Sequence, residues 1–160
     1  MREAGTSRAT PERKTVPDCV RGAGVFFYDA ARRRVLFYRR DDNPDIPFPD
    51  HVDILGGHVE AGEAPEHAVV REMAEELDDV RTGRPYALSG HRLFTVYTDP
   101  QGAVDVLFSK ATDFDVEDVR LKEGQALVWL TEDEAARTPF AFGYDRLVAG
   151  FFRALRDGTV

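Results

Sequence analysis

The chain has 160 residues, 42% of them hydrophobic, and a formal net charge of −8 with a single cysteine. That length and apolar content suit one globular domain with a sizeable core, and one cysteine excludes an internal disulfide. The acidic balance offers no basic patch for duplex nucleic acid.

Residues 1–18 are polar, hold two prolines and show no apolar periodicity, so they read as a flexible tail ahead of a domain spanning 19–160. No signal peptide is visible there. No apolar run reaches the length of a membrane span. A reducing cytoplasm is the expected setting, with no membrane partner. Cys19 opens an apolar stretch without a CxxC partner and is expected to fill core.

From Cys19 to Tyr28 the pattern predicts a strand, and Arg34 to Arg39 its hairpin partner across "DAARR". "DDNPDIPFPDH" has three prolines in eleven residues and reads as a loop. "VDILGGHVE" is short and β-branched, and the glycine pair is expected to break it. Pro65 to Leu77 predicts a helix, proline being well placed in its first turn. Leu93–Thr98 and Val104–Lys110 predict a hairpin about "DPQGA", and "ALVWL" another strand. Thr131 and Glu134 have capping-box spacing for a short helix. A last amphipathic helix is expected over Phe142–Leu155, with Phe142, Leu147, Phe151 and Leu155 facing the core.

The charge is strongly localised. Between Gly57 and Val80 lie Glu60, Glu63, Glu66, Glu72, Glu75, Glu76, Asp78 and Asp79 against one base, Arg71. At about 100° per residue, Val69, Met73, Leu77 and Val80 form a core stripe on the first helix. Glu72, Glu75 and Glu76 fall on one flank of it, with Asp79 on the same side. A solvated acidic face is the plain alternative. Five like-charged pairs at helical contact spacing would then cost about 1–2.5 kcal/mol, against the roughly 5–15 kcal/mol that holds a domain together. A neutralising ion from outside is therefore expected, and carboxylate ligands select a hard divalent cation such as Mg²⁺ or Mn²⁺. His51, His58, His67 and His91 show no metal-ligand spacing and read as surface or loop residues.

"GHVEAGEAPEHAVVREMAEE" resembles the Nudix box, in which a glycine, a glutamate and the run REUXEEXGU recur at fixed spacing. Gly57, Glu63, Arg71, Glu72, Met73, Glu75 and Glu76 fill the matching positions. Asp78 and Asp79 stand where the pattern has glycine and an aliphatic residue, and Ala64 stands where a capping Ser or Thr is usual. The resemblance implies the Nudix fold, an α/β/α sandwich with a mixed central β-sheet, over about residues 19–157.

The resemblance also implies chemistry: Mg²⁺-dependent hydrolysis, with Mn²⁺ as an alternative, of the diphosphate bond in a nucleoside diphosphate linked to some group X. By the same likeness Glu75 and Glu76 bind metal, Gly57 lends its carbonyl, and Glu72 is a ligand or the base that activates water. Arg71 orients the glutamates, pairing with Glu63, and Gly56 lets the backbone approach the ion. Glu123 in "KEGQALVWL" matches a further loop ligand of MutT-type members. Arg39 or Arg40 would meet a phosphate, while Phe48, Phe94, Tyr97 or Phe140 would stack on a base. The resemblance allows a homodimer. Other readings are a non-catalytic nucleotide-binding sensor of the same fold, an isoprenyl diphosphate isomerase, which would want a cysteine in its active site, and a plain Ca²⁺-binding protein, for which the EF-hand spacing is missing.

Overall fold

A computed structural model describes residues 19–112 and 114–160, so the tail expected over residues 1–18 lies outside the described residues. The elements run β1 (Gly22–Asp29), β2 (Arg34–Arg39), β3 (Val52–Asp53), β4 (Leu55–His58), α1 (Pro65–Glu76), β5 (Leu77–Asp79), β6 (Arg84–Pro85), β7 (Arg92–Thr98), β8 (Val104–Ala111), β9 (Val119–Leu121), β10 (Ala126–Thr131), α2 (Glu132–Ala135) and α3 (Asp145–Asp157). The main sheet has the order β10-β2-β1-β8-β7, with β3 paired to β2 and β4 to β1. Among the described strands only β1 and β8 run parallel within it, Gly22 facing Asp105 and Tyr28 facing Ala111. A small second sheet joins β6, β5 and β9.

Side-chain alternation divides the core into two layers. On one face Ala23, Val25, Phe27, Leu36, Val106 and Phe108 meet Ala68, Val69 and Met73 of α1. On the other, Phe26, Val35, Phe37 and Leu107 meet Leu147, Val148, Phe151 and Phe152 of α3. Phe26 stacks on Phe151 with ring centroids 4.3 Å apart. Continuous runs such as "GVFFY" therefore mark strands covered on both faces. The result is the α/β/α sandwich with a mixed sheet.

Several local expectations are corrected. The glycine pair lies inside β4, where Gly56 and Gly57 face Gly24 and Ala23 of β1. Val80 lies past the end of α1 and is 57% exposed, so it is no part of the core stripe. Cys19 is exposed rather than core. Phe142 does not open the last helix: it stands three residues before α3 with φ of 56°, and Leu147, Val148, Phe151 and Phe152 make the buried stripe. The expected capping box before α2 does form, the Glu134 carboxylate accepting from the Thr131 N–H at 2.8 Å and from its hydroxyl at 2.9 Å.

α1 stops at Glu76 because the chain turns straight into β5. Leu77 is fully buried and extended, and Asp78 pairs in the small sheet with Arg120. The Asp78 carboxylate binds the Arg120 guanidinium and lies 3.2 Å from the Lys122 ammonium. Asp79 holds Arg81. The two aspartates thus leave the helix, and three of the five like-charged helical pairs go with them. The remaining repulsion is met in part by Arg71.

Candidate functional site

A cleft of about 390 Å³ opens beside the N-terminal end of β1 and β8, lined by residues of β1, β2, β3, β4, α1 and the β9–β10 loop. Its acidic end is built from the box. Going around α1 at about 100° per residue, Glu76 lies about 20° from Val69 at the stripe's edge, Glu72 about 60° and Glu75 about 120°. Burial follows that order. Glu76 is 8% exposed, the Glu72 side chain 14% and the Glu75 side chain 59%. Glu72 and Glu76 line the cleft and Glu75 does not.

Arg71 organises the rim. Its guanidinium binds both oxygens of Glu63 at 2.9 Å, the fork that suits a carboxylate. It also reaches Glu72 at 2.9 Å, Glu75 at 3.2 Å and the His58 carbonyl at 2.9 Å. Hydrogen bonding to Arg71 first, and to the Glu60 N–H second, holds the Glu63 carboxyl down at about 2. Loop, strand β4 and helix are thereby tied by one side chain. Ala64 caps α1 with no side-chain hydrogen bond, and Glu63 turns back to accept from Glu60 at 3.0 Å.

The two box glycines serve close approach. A Cβ on Gly57 would lie 2.3 Å from the Glu72 carboxyl carbon, so the carboxylate rests on bare backbone. At Gly56, φ of 150° and a would-be Cβ 2.2 Å from the Ala23 carbonyl leave room only for glycine.

Glu76 has a different character. Burial, and then repulsion from Glu72, Glu123 and Asp53, push its carboxyl up to about 8, against a hydrogen bond from the Gly56 N–H. Its Oε2 is buried without a hydrogen-bond partner, a costly arrangement for a polar atom. Glu123 faces the same cleft because the Lys122 N–H donates to the Glu76 carbonyl at 2.8 Å and pins the loop to the end of α1. The donors here are all oxygens: Glu72, Glu76, Glu123 and the backbone of Gly57. That set, with one orphaned carboxylate oxygen, suits a hard divalent cation. As the side chains stand, no group of three or more His, Cys, Asp or Glu among the described residues encloses an ion site. Holding one requires the glutamates to turn toward Glu76 Oε2.

The other end of the cleft mixes arginines, buried acids and aromatic rings. Arg40 donates to Asp53 at 2.9 Å, to the Tyr38 hydroxyl at 3.3 Å and to the Pro47 carbonyl at 3.0 Å. Burial pushes the Asp53 carboxyl up to about 6, although the Ile54 N–H and Arg40 oppose it. Arg21 binds Asp105 through Nε at 3.1 Å and Asp99 at 2.7 Å, and the Tyr144 hydroxyl donates to Asp105 at 2.8 Å. Burial first, then Asp105, raises the Tyr144 hydroxyl above its ordinary range. Arg39 lies outside the cleft lining, held by Asp50 at 3.3 Å.

Of the aromatic residues expected to meet a base, Phe140 is buried and Phe94 packs on the α3 layer, stacked edge-on against Phe151 at 4.9 Å. Tyr97 packs on Tyr144 at 5.9 Å. Phe48 is 41% exposed and touches Phe142 at 4.9 Å. Sequence reasoning missed Phe142, Tyr144, Tyr38, Arg21, Asp53 and Asp105. A buried-polar signal was legible only in Asp53 and Asp105, acids set within apolar strands. His91 is a loop residue with its ring largely buried against Phe108 at 5.2 Å, and no histidine except His58 borders the cleft.

A family model described as NUDIX domain matches residues 20–151. No curated protein sequence matches the chain. Among solved structures, MutT from Aliivibrio salmonicida and Vibrio cholerae is similar at 20% identity and TM-score 0.64, covering 86% of this chain and 98% of that one. The MutT NUDIX hydrolase from Burkholderia pseudomallei is 22% identical with TM-score 0.61, covering 83% and 98%. The NUDIX domain of Shewanella oneidensis NrtR, solved in complex with ADP ribose, is 17% identical with TM-score 0.58, covering 86% and 88%. At these identities the likeness establishes a shared fold.

Proposed function

The chain belongs to the NUDIX domain family, and on that premise we propose that it is a Mg²⁺-dependent hydrolase of the diphosphate bond in nucleotide-type substrates, a nucleoside diphosphate joined to a second group. The observation that carries the reading is Glu76: a buried carboxylate with one unpartnered oxygen, in a cleft shared with Glu72 and Glu123. A buried polar atom without a partner is costly, which supports a ligand for that oxygen.

Glu76, Glu72 and Glu123, with the Gly57 carbonyl, would hold the cation, and Mn²⁺ suits the same donors. When bound, the ion would neutralise phosphoryl oxygens and lower the pKa of its water. Water adds to one phosphorus, the bridging P–O bond breaks, and two phosphate-ended products leave. Glu72 either completes the metal site or takes the proton from water. Glu75 joins as a ligand only after leaving Arg71. Arg71 and Glu63 keep the β4 end and the helix in register, which holds Glu72 over Gly57. Arg40 reaches a phosphate only by loosening its bond to Asp53, and Arg39 would act from outside the cleft.

The NrtR domain of similar fold was crystallised with ADP ribose, itself a nucleotide diphosphate derivative, in keeping with the proposed class. No described helix is long and apolar enough to cross a membrane. Incubating the protein with Mg²⁺ and a panel of nucleotide diphosphate derivatives, and identifying products by chromatography, tests the proposal. Turnover that stops in EDTA and in Glu76→Gln is the expected result; no product from any member of the panel would leave a nucleotide-binding sensor as the better account.

A further inference from the structure

Glu123 differs from the other glutamates of the cleft in where it stands. Glu72 and Glu76 belong to α1, whereas Glu123 lies in the turn over residues 122–125 that joins β9 to β10. Its charge acts on Glu76, so without a cation the two carboxylates push apart. A turn free to move would carry Glu123 out of the cleft. This turn is held on both sides. Toward α1, the Lys122 ammonium donates to the Ala74 carbonyl at 2.9 Å and lies 3.2 Å from the Asp78 carboxylate, beside the bond from the Lys122 N–H to Glu76. Toward β2, the Gln125 N–H donates to the Arg39 carbonyl at 2.8 Å. The Gln125 side-chain amide donates to the Arg40 carbonyl at 2.6 Å and to the Asp50 carboxylate at 2.9 Å. Between these anchors Gly124, with φ of 97°, presses bare backbone on β2: a Cβ there would stand 2.8 Å from the Tyr38 ring and 2.9 Å from the Arg39 carbonyl.

The lysine is the telling member. A cation beside a metal ligand repels the ion it would help to bind, so charge alone gives Lys122 no use there. Its side chain lies outside the cleft lining and is spent on the end of α1. Asp78, which stands where the box has glycine, is the counter-ion that draws it there. Arg120 binds the same carboxylate from β9, so the aspartate fixes both the strand before the turn and the first residue of it.

We propose that Lys122 and Gln125 are positioning residues, two anchors that hold Glu123 over the cation site against the repulsion of the α1 glutamates. The inference rests on the reading of Glu123 as a ligand. It assigns the side chains of Lys122 and Gln125 a part in divalent affinity that neither exerts by touching the ion.

The test titrates the full chain with Mn²⁺ by calorimetry, with no substrate present. Lys122→Met removes a positive charge near the cation, so a residue acting by charge alone would leave the variant binding more tightly than the parent. Loss of a positioning residue should instead weaken binding by about 10-fold, the low end for a group that orients a ligand, because the backbone bond to Glu76 remains. Gln125→Met leaves the charge unchanged and should weaken binding in the same direction. Beside Glu123→Gln, both changes should have little further effect, since no ligand is left to position. A loss caused by general loosening of the fold would persist there. The water-proton relaxivity of bound Mn²⁺ should rise in each single variant as water takes the place of the carboxylate. The proposal is overturned if either Met variant binds Mn²⁺ as tightly as the parent, or if its loss persists in full beside Glu123→Gln. Parent affinity in Glu123→Gln alone also overturns it, while leaving a cation on Glu72 and Glu76. A parent chain that binds no Mn²⁺ overturns both this proposal and the hydrolase reading. The expected pattern in a chain that turns over no diphosphate would remove the hydrolase reading and keep the two anchors.

Discussion

Arg71 grips Glu63 by two parallel hydrogen bonds, Nε to Oε1 and Nη2 to Oε2, each 2.9 Å long. The same guanidinium reaches Glu72 and the His58 carbonyl. A lysine ammonium is a point charge and cannot make this set of contacts at once. Arg71→Lys is therefore expected to preserve the fold yet weaken Mn²⁺ binding about 10-fold to 100-fold, the usual cost of losing a group that orients ligands. Calorimetric titration with Mn²⁺ measures it, and affinity equal to the parent's would show that the fork does not position the site.

The depth order of the three helix glutamates makes a second prediction. Glu76→Gln should cost the most divalent affinity, Glu72→Gln less, and Glu75→Gln the least, because Glu75 starts outside the cleft. The resemblance to the box puts Glu75 beside Glu76 as a direct ligand. Equal losses at Glu75 and Glu76 in the same titration would mean that the ion draws Glu75 inward.

Acid–base behaviour supplies a third. Burial pushes the Glu76 carboxyl up to about 8 and the Asp53 carboxyl up to about 6, both above their unfolded values near 4. At these two groups the native state then holds more protons than the unfolded one, so their contribution to stability falls as pH rises from about 4.5 to about 8, while burial holds the His91 ring below its ordinary range and works in the opposite direction. In EDTA, Tm should drop across that window by on the order of 5 °C or more, since each pKa unit carries about 1.4 kcal/mol and each kcal/mol moves Tm by about 2–4 °C at this size. Glu76→Gln should flatten most of the drop. An unchanged slope in that variant would place the titration elsewhere.

The two adjacent glycines should fail differently when given a methyl group. In Gly57→Ala the obstacle is the end of a movable side chain, Glu72, so the fold should survive and activity should fall at least about tenfold, in line with displaced catalytic geometry. In Gly56→Ala the obstacle is backbone at Ala23 and Gly24, which cannot step aside, so stability should fall by about 1–3 kcal/mol or more. Thermal melts beside a hydrolysis assay separate the two, and the reverse pattern would contradict the packing of β4 on β1.

What was legible in the chain was whatever rests on neighbours in sequence. β2, the body of α1 and the Gly57-to-Glu76 constellation lie on consecutive elements, where period and spacing carry the information. β6 and β3 are two residues long and β5 three, too short for any period to show. The end of α1 depends on Arg120 and Lys122 meeting Asp78 from more than forty residues away. Phe142 has the apolar character of a helix residue, and only the turn through Gly143, with φ of 68°, takes it off α3 and onto the cleft wall. Asp53 and Asp105 look like stray acids until β1, β3 and β8 assemble around them.

The parallel seam between β1 and β8 has a consequence for biogenesis. A growing polypeptide carries β1 and β2 out of the ribosome early and then extends far downstream before β8 can close the other edge of β1. At roughly 5–20 residues per second, that leaves an apolar ribbon unprotected for several seconds. Sticky strands of this kind are what chaperones shield, and slow translation through the middle of the message would lengthen the exposure of "GVFFY" to every other nascent chain nearby.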